Sequence, residues 1–195
     1  MGHCGDRHSF ASRAARQRDR RNRVWDDVEI RPATAADAVA IIDLHFAAVH
    51  ETAAAFYPRE VLDRWSSLPD EARYQRIRDA IAKGEERLLV AEEPSGVVGF
   101  GSIVPRLHEL HAVYVHPRLG RQGIGSRILV QLERLATDLD VWQLQMEASV
   151  NAEAFYRRAG YEVVERSVHR LGGGIEMASV TMKKRLSVWV VSHLG

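Results

Sequence analysis

The chain has 195 residues and a mass of 22.0 kDa, the size of one ordinary domain with room for a tail. Hydrophobic residues make up 46% and charged residues 27%, which excludes a mostly disordered chain, a collagen-like chain and a disulfide scaffold. The formal net charge of +1 hides an uneven distribution, because residues 1–23 hold seven arginines and two aspartates. The remaining residues are therefore mildly acidic.

The cysteine count and the hydropathy pattern bear on the compartment. Cys4 is the only cysteine, so an internal disulfide is impossible, which fits a reducing compartment. No run of 18 apolar residues occurs, and residues 1–23 lack the apolar stretch of a secretory signal. We therefore expect a cytoplasmic protein without a membrane span.

The first 25 residues are predicted to be a disordered basic arm, because they hold too little apolar surface to offset the entropy of ordering. Two interpretations remain open: a tether for nucleic acid or another acidic surface, and a flexible extension without a partner. Phe10 is the only aromatic residue in 1–23, so the pattern favours the extension. No nucleic-acid partner is expected.

The first half of the body reads as one strand followed by three helices. Residues 28–31 form a β-type run that ends at Pro32. Thr34 and Asp37 form an acidic variant of a capping box ahead of a helix over 38–49, whose apolar residues recur at helical spacing. Tyr57-Pro58 breaks this helix, and the two further helices lie over 61–65 and from Pro69 to about Lys83, with Gly84 as C-cap.

The second half alternates strands with two helices. The predicted strands are 87–92, 97–104, 110–115, 141–148, 161–168 and 175–182, and the predicted helices are 124–138 and 151–159. We predict a single α/β domain over residues 26–185. Residues 186–195 form an apolar, β-prone tail that would lengthen the last strand or cover an edge in a dimer, so monomer and homodimer both remain open.

A glycine loop between a strand and a strong helix carries the clearest chemical signal. The segment Val113-Tyr-Val-His-Pro117 leads into Arg121-Gln-Gly-Ile-Gly-Ser126 and then into the helix. Backbone N–H groups at a helix N-terminus, together with the helix dipole, bind phosphate. The loop is not a Walker A motif, since no Gly-Lys pair of that kind occurs, and it lacks the third glycine of the dinucleotide fingerprint. A pyrophosphate loop for coenzyme A remains.

At this point the sequence resembles the GCN5-related N-acetyltransferase (GNAT) superfamily over residues 28–184. Its opening strand, the loop around Gly123 and Gly125, and the segment Asn151-Ala-Glu-Ala-Phe-Tyr156 occur in the family's order. In place of the family's Gln or Arg three residues before Gly123, the chain has Gly120, with Arg121 beside it. The run Phe56-Tyr-Pro-Arg-Glu60 with Trp65 resembles a subgroup of uncharacterised acetyltransferases.

The resemblance implies a central mixed, mostly antiparallel sheet that splays, flanked by helices, with acetyl-CoA as co-substrate. The residues implied to bind it are Val113, Tyr114, Val115, Arg118, Arg121, Gln122, Gly123, Ile124, Gly125, Ser126 and Asn151. The family's β-bulge would free a backbone N–H near Val113 for the thioester oxygen. Asn151 would bind the pantetheine arm, or cap the following helix.

The resemblance also implies acetyl transfer to a primary amine of a small molecule or peptide by direct attack in a ternary complex. Tyr156 would be the general acid at the coenzyme A sulfur, since a desolvated phenol can protonate a thiolate. Two residues remain open as general base: Glu109, at a position matching the catalytic Glu of histone-acetylating members, and His111 on the same strand face. No metal is expected, because His108-Glu109-Leu-His111 lies on a strand and is not H-E-x-x-H.

The acceptor pocket is expected between the first two helices, with Glu51, Tyr57 and Trp65 as substrate contacts and His45 as a further candidate. Glu51 could receive a cationic amine and Trp65 could stack on it. The alternative function is a catalytically silent acyl-CoA-binding sensor, which intact Tyr156 and Asn151 disfavour.

Overall fold

The computed structural model describes residues 28–186, in which seven strands form one sheet with the order β1-β2-β3-β4-β5-β7-β6. The strands are β1 (Glu29–Pro32), β2 (Arg87–Glu93), β3 (Gly96–Val104), β4 (Glu109–Val115), β5 (Gln143–Ser149), β6 (Glu162–Arg170) and β7 (Glu176–Arg185). The α-helices are α1 (Ala38–Thr52), α2 (Arg59–Trp65), α3 (Glu71–Lys83), α4 (Ile124–Asp138) and α5 (Glu153–Arg158). The predicted arm, residues 1–25, and residues 187–195 of the predicted tail lie outside the described part.

The predicted fold class is confirmed, and the differences lie at element ends. Helix α3 begins at Glu71 and not at Pro69, because the Asp70 carboxylate caps it by accepting the Arg73 N–H at 2.8 Å. Strand β5 begins at Gln143 and not at residue 141, because Asp140 has a φ of 60° and the Val141 N–H still bonds back to the end of α4. Leu186, assigned to the tail, is buried, and its N–H donates to the Trp142 carbonyl at 2.8 Å, so the domain includes it.

The start of the domain is fixed by one buried carboxylate. Asp37 accepts the Thr34 N–H at 2.7 Å, as the capping-box pattern predicts, and both of its oxygens bond the Arg31 guanidinium. The hydrogen bonds from Arg31 hold the pKa of Asp37 down at about 2. Because Arg31 also bonds Glu92 at 2.7 Å, this cluster joins β1, β2 and the entry to α1.

The sheet opens between β4 and β5. All other neighbouring strands pair antiparallel, whereas β4 and β5 run parallel and pair at Glu109 opposite Gln145. The Gln145 N–H also donates to the His108 carbonyl at 2.9 Å, which closes the lower end of this pair. Beyond that point the two strands separate, as the predicted splayed sheet requires.

A β-bulge changes which face of the sheet the residues of β4 occupy. Ser102 on β3 pairs with Ala112 and Ile103 pairs with Leu110, so His111 is the extra residue on β4. Leu110 packs into the core under α4, while Ala112 and Tyr114 pack on the opposite face against α1. Strict alternation would have put Leu110 and Ala112 on the same face.

Helix α4 lies unusually close to β3. A Cβ added at Gly101 would lie 2.8 Å from both the Ala112 carbonyl and the Ile128 side chain, and one at Gly99 would lie 2.8 Å from Ile128. Glycine at these two positions therefore lets the buried stripe of α4 contact the sheet directly. None of the helices in residues 28–186 is long and apolar enough to cross a membrane.

Tyr57 closes the upper end of the gap beside β5. Its side chain is buried, and its hydroxyl accepts the Val150 N–H at 2.7 Å and donates to the Ala178 carbonyl at 2.7 Å. One phenol thus satisfies two backbone groups, on β7 and just after β5, that the neighbouring strand does not reach.

We predict that Tyr57→Phe lowers the free energy of unfolding by about 1–3 kcal/mol, because it leaves a backbone N–H and a carbonyl without partners. Urea denaturation measures the change. The control is Tyr74→Phe, which removes an exposed hydroxyl bonded to Asp43 at 3.2 Å and should cost no more than about 0.5 kcal/mol. Equal losses for the two variants would contradict the bridging role.

Candidate active site

A cavity of about 660 Å³ lies where β4 and β5 part. Its walls are α1, the end of α2, the start of α3 and the exposed edges of the two strands. It brings together most of the predicted site residues outside the glycine loop, namely Glu109, His111, Val113, Tyr114, Val115, Asn151, Tyr156 and Trp65. A volume of this size is typical of ligand pockets.

Backbone donors from β4 face the gap. The His116 N–H donates to Val98 on β3 at 2.9 Å. Because successive residues of a strand point their backbone groups to opposite sides, the N–H groups of Val113 and Val115 point away from β3, toward β5. The ladder with β5 has ended by this level, so these donors can act on a group that enters the gap.

Tyr156 reaches the cavity from α5. It is 6% exposed, and its ring contacts those of Phe155 and Tyr161. Burial, and to a smaller extent the neighbouring Tyr114, raise the pKa of the Tyr156 phenol well above its usual 10. The hydroxyl therefore keeps its proton at neutral pH and can donate it.

Tyr114 belongs to an aromatic wall on the α1 side. It stacks on Phe100 with ring centroids 5.3 Å apart and meets His45 edge-on at 4.7 Å. Its hydroxyl is hydrogen bonded to the side chain of Trp65, whose indole N–H can only donate. Trp65 thus lines the cavity while its N–H is already used.

His111 is joined to a carboxylate that the sequence did not indicate. Its Nδ1 lies 2.9 Å from Glu86 Oε1, and this hydrogen bond raises the pKa of the imidazole above 6.5. Burial opposes ionisation of Glu86, but the bonds from His111 and Ser102 together keep the pKa of its carboxyl below the usual value. Glu86 lies between α3 and β2, far from His111 in sequence, so only the folded sheet brings the two together.

Asn151 has an amide oxygen without a partner. The atom is buried and accepts no hydrogen bond from the described residues. Ala152, not Asn151, is the N-cap of α5, so the structure does not use Asn151 as a cap. Asn151 also lines the cavity, so a ligand N–H group that enters there would supply the missing partner.

The glycine loop lies at the N-terminus of α4 and does not line the cavity. Gly123 is the N-cap with a φ of 83°, and Arg121 before it also has a positive φ of 63°. The first turn of α4 carries no acidic residue. Arg118 bonds Glu93 at 2.9 Å, whereas Arg121 is exposed.

Two predicted acceptor contacts lie elsewhere. Glu51 is exposed on α1 and does not line the cavity, and the Tyr57 hydroxyl is already bonded to two backbone groups. We therefore assign Tyr57 a structural role in place of the predicted substrate contact.

Several ionisable residues that line the cavity were not predicted from the sequence: Arg64, Arg73, Arg76, Glu86, Glu147 and His169. No local motif marks them, because they come from five separate elements or loops. Glu147 and His169, on β5 and β6, form a second His–carboxylate pair at 2.5 Å. In residues 28–186 no group of three or more His, Cys, Asp or Glu is arranged to hold a metal ion.

A buried network surrounds His45. Its Nδ1 accepts from the Ser66 hydroxyl at 2.9 Å and from Arg73 Nη2 at 3.2 Å, so its ring is neutral with the proton on Nε2. Burial, with the positive charge of Arg73, lowers the pKa of His45 to about 4. His45 is therefore a neutral acceptor for a buried cation.

Comparison with known proteins places this architecture in a family. The model of the acetyltransferase (GNAT) domain matches residues 51–186. An uncharacterised N-acetyltransferase of Escherichia coli, YafP, is 26% identical over 141 residues, covering 72% of this chain and 85% of YafP.

Solved structures agree. A GCN5-related N-acetyltransferase from Rhodopseudomonas palustris superposes with a TM-score of 0.73 at 28% identity, covering 82% of this chain and 96% of that one. The acetyltransferase YncA of Salmonella typhimurium, solved with acetyl-CoA, has a TM-score of 0.63 at 22% identity and covers 83% and 95%. The prediction from sequence is confirmed: the chain belongs to the GNAT family and is an acetyl-CoA-dependent acetyltransferase.

Proposed function

We propose that the protein transfers the acetyl group of acetyl-CoA to a primary amine of a small molecule or peptide, by direct attack in a ternary complex. The observation that carries the proposal is the convergence of three features at one gap. The N–H groups of Val113 and Val115 face it, Tyr156 lines it, and the buried Asn151 oxygen has no partner beside it.

The donor would be held at two places. Residues 122–126 offer the positive N-terminus of a 15-residue helix to the pyrophosphate, with Arg121 free to approach it. Asn151 would accept an amide N–H of the pantetheine arm, and the N–H groups on β4 would bind carbonyl oxygens. The paired state of Arg118 makes Arg121 the better candidate for the pyrophosphate.

The transfer itself needs two proton movements. The amine nitrogen attacks the thioester carbon, the new C–N bond forms and the C–S bond breaks. The Val113 N–H stabilises the charge that develops on the carbonyl oxygen, and the Tyr156 hydroxyl gives its proton to the leaving sulfur. The surplus proton of the amine must pass to a base.

His111 is the base that the geometry favours. It lies at the bulge, lines the cavity and is oriented by Glu86, the arrangement of a base held by a carboxylate. A pKa above 6.5 suits a base that works near neutral pH. Glu109 also lines the cavity but stands two residues further from Val113, at the closed end of the gap.

Purified protein mixed with acetyl-CoA and a panel of amines tests the proposal by release of free thiol. Turnover on at least one amine is expected. Saturable binding of acetyl-CoA without turnover on any amine would support the alternative, a silent acyl-CoA sensor.

Tyr156→Phe should lower kcat about 100-fold or more, since it removes the proton donor without changing the size of the ring. Steady-state kinetics with the best acceptor measures it. The matched control is Tyr161→Phe, a buried phenol that contacts Tyr156 but does not line the cavity, which should keep kcat within about twofold. Full activity in the Tyr156→Phe variant would contradict the proposed role of Tyr156 as general acid.

The pH profile distinguishes the two candidate bases. The base works deprotonated and Glu86 stabilises the protonated imidazole, so kcat/KM should rise with pH through a pKa above 6.5. Glu86→Gln should move this rise in kcat/KM, the ascending limb of the profile, to lower pH. His111→Gln should abolish the ascending limb. If Glu109→Gln abolishes the limb and His111→Gln preserves it, the base is Glu109.

Asn151→Ala should weaken coenzyme A binding about five- to tenfold, the effect of one hydrogen bond to a ligand. Folding should be unaffected, because the side-chain oxygen has no partner in the protein. Titration calorimetry with coenzyme A gives the affinity. An exposed amide on α4 serves as control through Gln131→Ala, and equal affinity in both variants would rule out the contact.

A further inference from the structure

Arg73 is a buried cation without a direct ion-pair partner, although the carboxylates of Asp70 and Asp43 lie near enough to act on its charge. It is 7% exposed at the first turn of α3 and lines the cavity. Its guanidinium donates to the Ser67 carbonyl, to the Ser66 hydroxyl at 3.3 Å and to His45 Nδ1 at 3.2 Å, all neutral acceptors. Among residues 28–186 it has no carboxylate within 4 Å, whereas buried charges are ordinarily paired.

Two more arginines line the cavity, and of these the Arg64 guanidinium lies beside Gly173, between β6 and β7. Arg64 on α2 and Arg76 on α3 are exposed to the cavity, and neither forms an ion pair with any carboxylate in the described part of the chain. By contrast Arg78, also on α3, is paired with Glu71 and does not line the cavity. Helix α3 therefore gives the cavity two arginines, Arg73 and Arg76, that form no ion pair within residues 28–186.

The opposite end of the cavity is acidic. Glu86, Glu109 and Glu147 line it from the strand side, where Glu86 is bonded to His111 and Glu147 to His169. His45, which holds Arg73, packs on Phe100 and Tyr114, while Glu86 bonds Ser102 and His111, two to three residues along the same strands. That offset is about 7 Å along the sheet.

We propose that the acceptor is an amine that also carries a carboxylate, of the amino-acid type, with the carboxylate bound by Arg73 and Arg76 and the amine on the side of Glu109 and Glu147. This rests on the proposed function and narrows its substrate class. Arginine forms bidentate hydrogen bonds to carboxylates, and carboxylates at the far end attract an ammonium group. The aromatic wall between the two ends gives an apolar side chain a surface to pack on.

The test compares acceptors that differ only in the anionic group. Each of a set of amino acids is assayed beside its amide and its decarboxylated amine. The amino acid should exceed its amide in kcat/KM by about tenfold or more, the effect of one charge-assisted contact. Amides or simple amines that equal or exceed the acids would overturn the proposal.

Variants of Arg73 and Arg76 test whether these arginines cause the preference for acids over amides. Arg76→Gln should reduce the acid-to-amide ratio about tenfold, and Arg73→Gln should do the same if thermal unfolding shows that it folds. The control Arg78→Gln should leave the ratio unchanged. A ratio that Arg76→Gln does not alter in a folded protein would contradict the assignment, and Arg73 would then only fix the α2–α3 loop.

A binding measurement distinguishes failure of the proposed function from failure of the proposed acceptor class. Titration calorimetry of acids and amides into the protein with coenzyme A reports acceptor selectivity without turnover. Selective binding of acids with no acetyl transfer would refute the proposed function and leave the anion site standing. Acetyl transfer without preference for acids would do the reverse.

Discussion

The site depends on one constraint, namely that two parallel neighbours in the middle of the sheet hydrogen bond at their lower end and then part. If β4 and β5 stayed paired, the N–H groups of Val113 and Val115 would be consumed by the ladder and no gap would exist. At the other end of the gap Tyr57 satisfies two of the backbone groups that the separation leaves over, because its hydroxyl bonds the Val150 N–H and the Ala178 carbonyl. A side chain from outside the sheet thus stabilises an opening within it.

The cavity beside this opening has separate ends of opposite charge. Arg73 and Arg76 line it from α3, while Glu86, Glu109 and Glu147 line it from the strand side. Neither set is neutralised entirely within the protein, and the His45–Ser66–Arg73 network adds only neutral acceptors. This distribution of charge supports the proposed acceptor, an amine that also carries a carboxylate, and it comes from residues that are distant in sequence.

The sequence predicted most of the fold, because periodicity, capping and turn residues are local signals. The order of seven strands and five helices, the Thr34–Asp37 capping interaction and the glycine loop all follow from neighbours in the chain. The resemblance named residues on β4, in the glycine loop and on α5, and those on β4 and Tyr156 on α5 line the cavity. Glu86 and Arg73 could not be predicted, because their roles exist only once the sheet brings His111 and His45 to them. Tyr57 was predicted from the sequence as a substrate contact. The motif does not reveal that the Tyr57 hydroxyl is bonded to two backbone groups in the folded chain.

The glycines of β3 determine how closely α4 approaches the sheet. A side chain at Gly99 or Gly101 would overlap Ile128, so a larger residue at either position would push away the helix that presents the loop. The distance between the glycine loop on α4 and the gap beside β4 therefore depends on glycine at these two positions. Gly99 and Gly101 thus affect the site although neither belongs to the loop or lines the cavity.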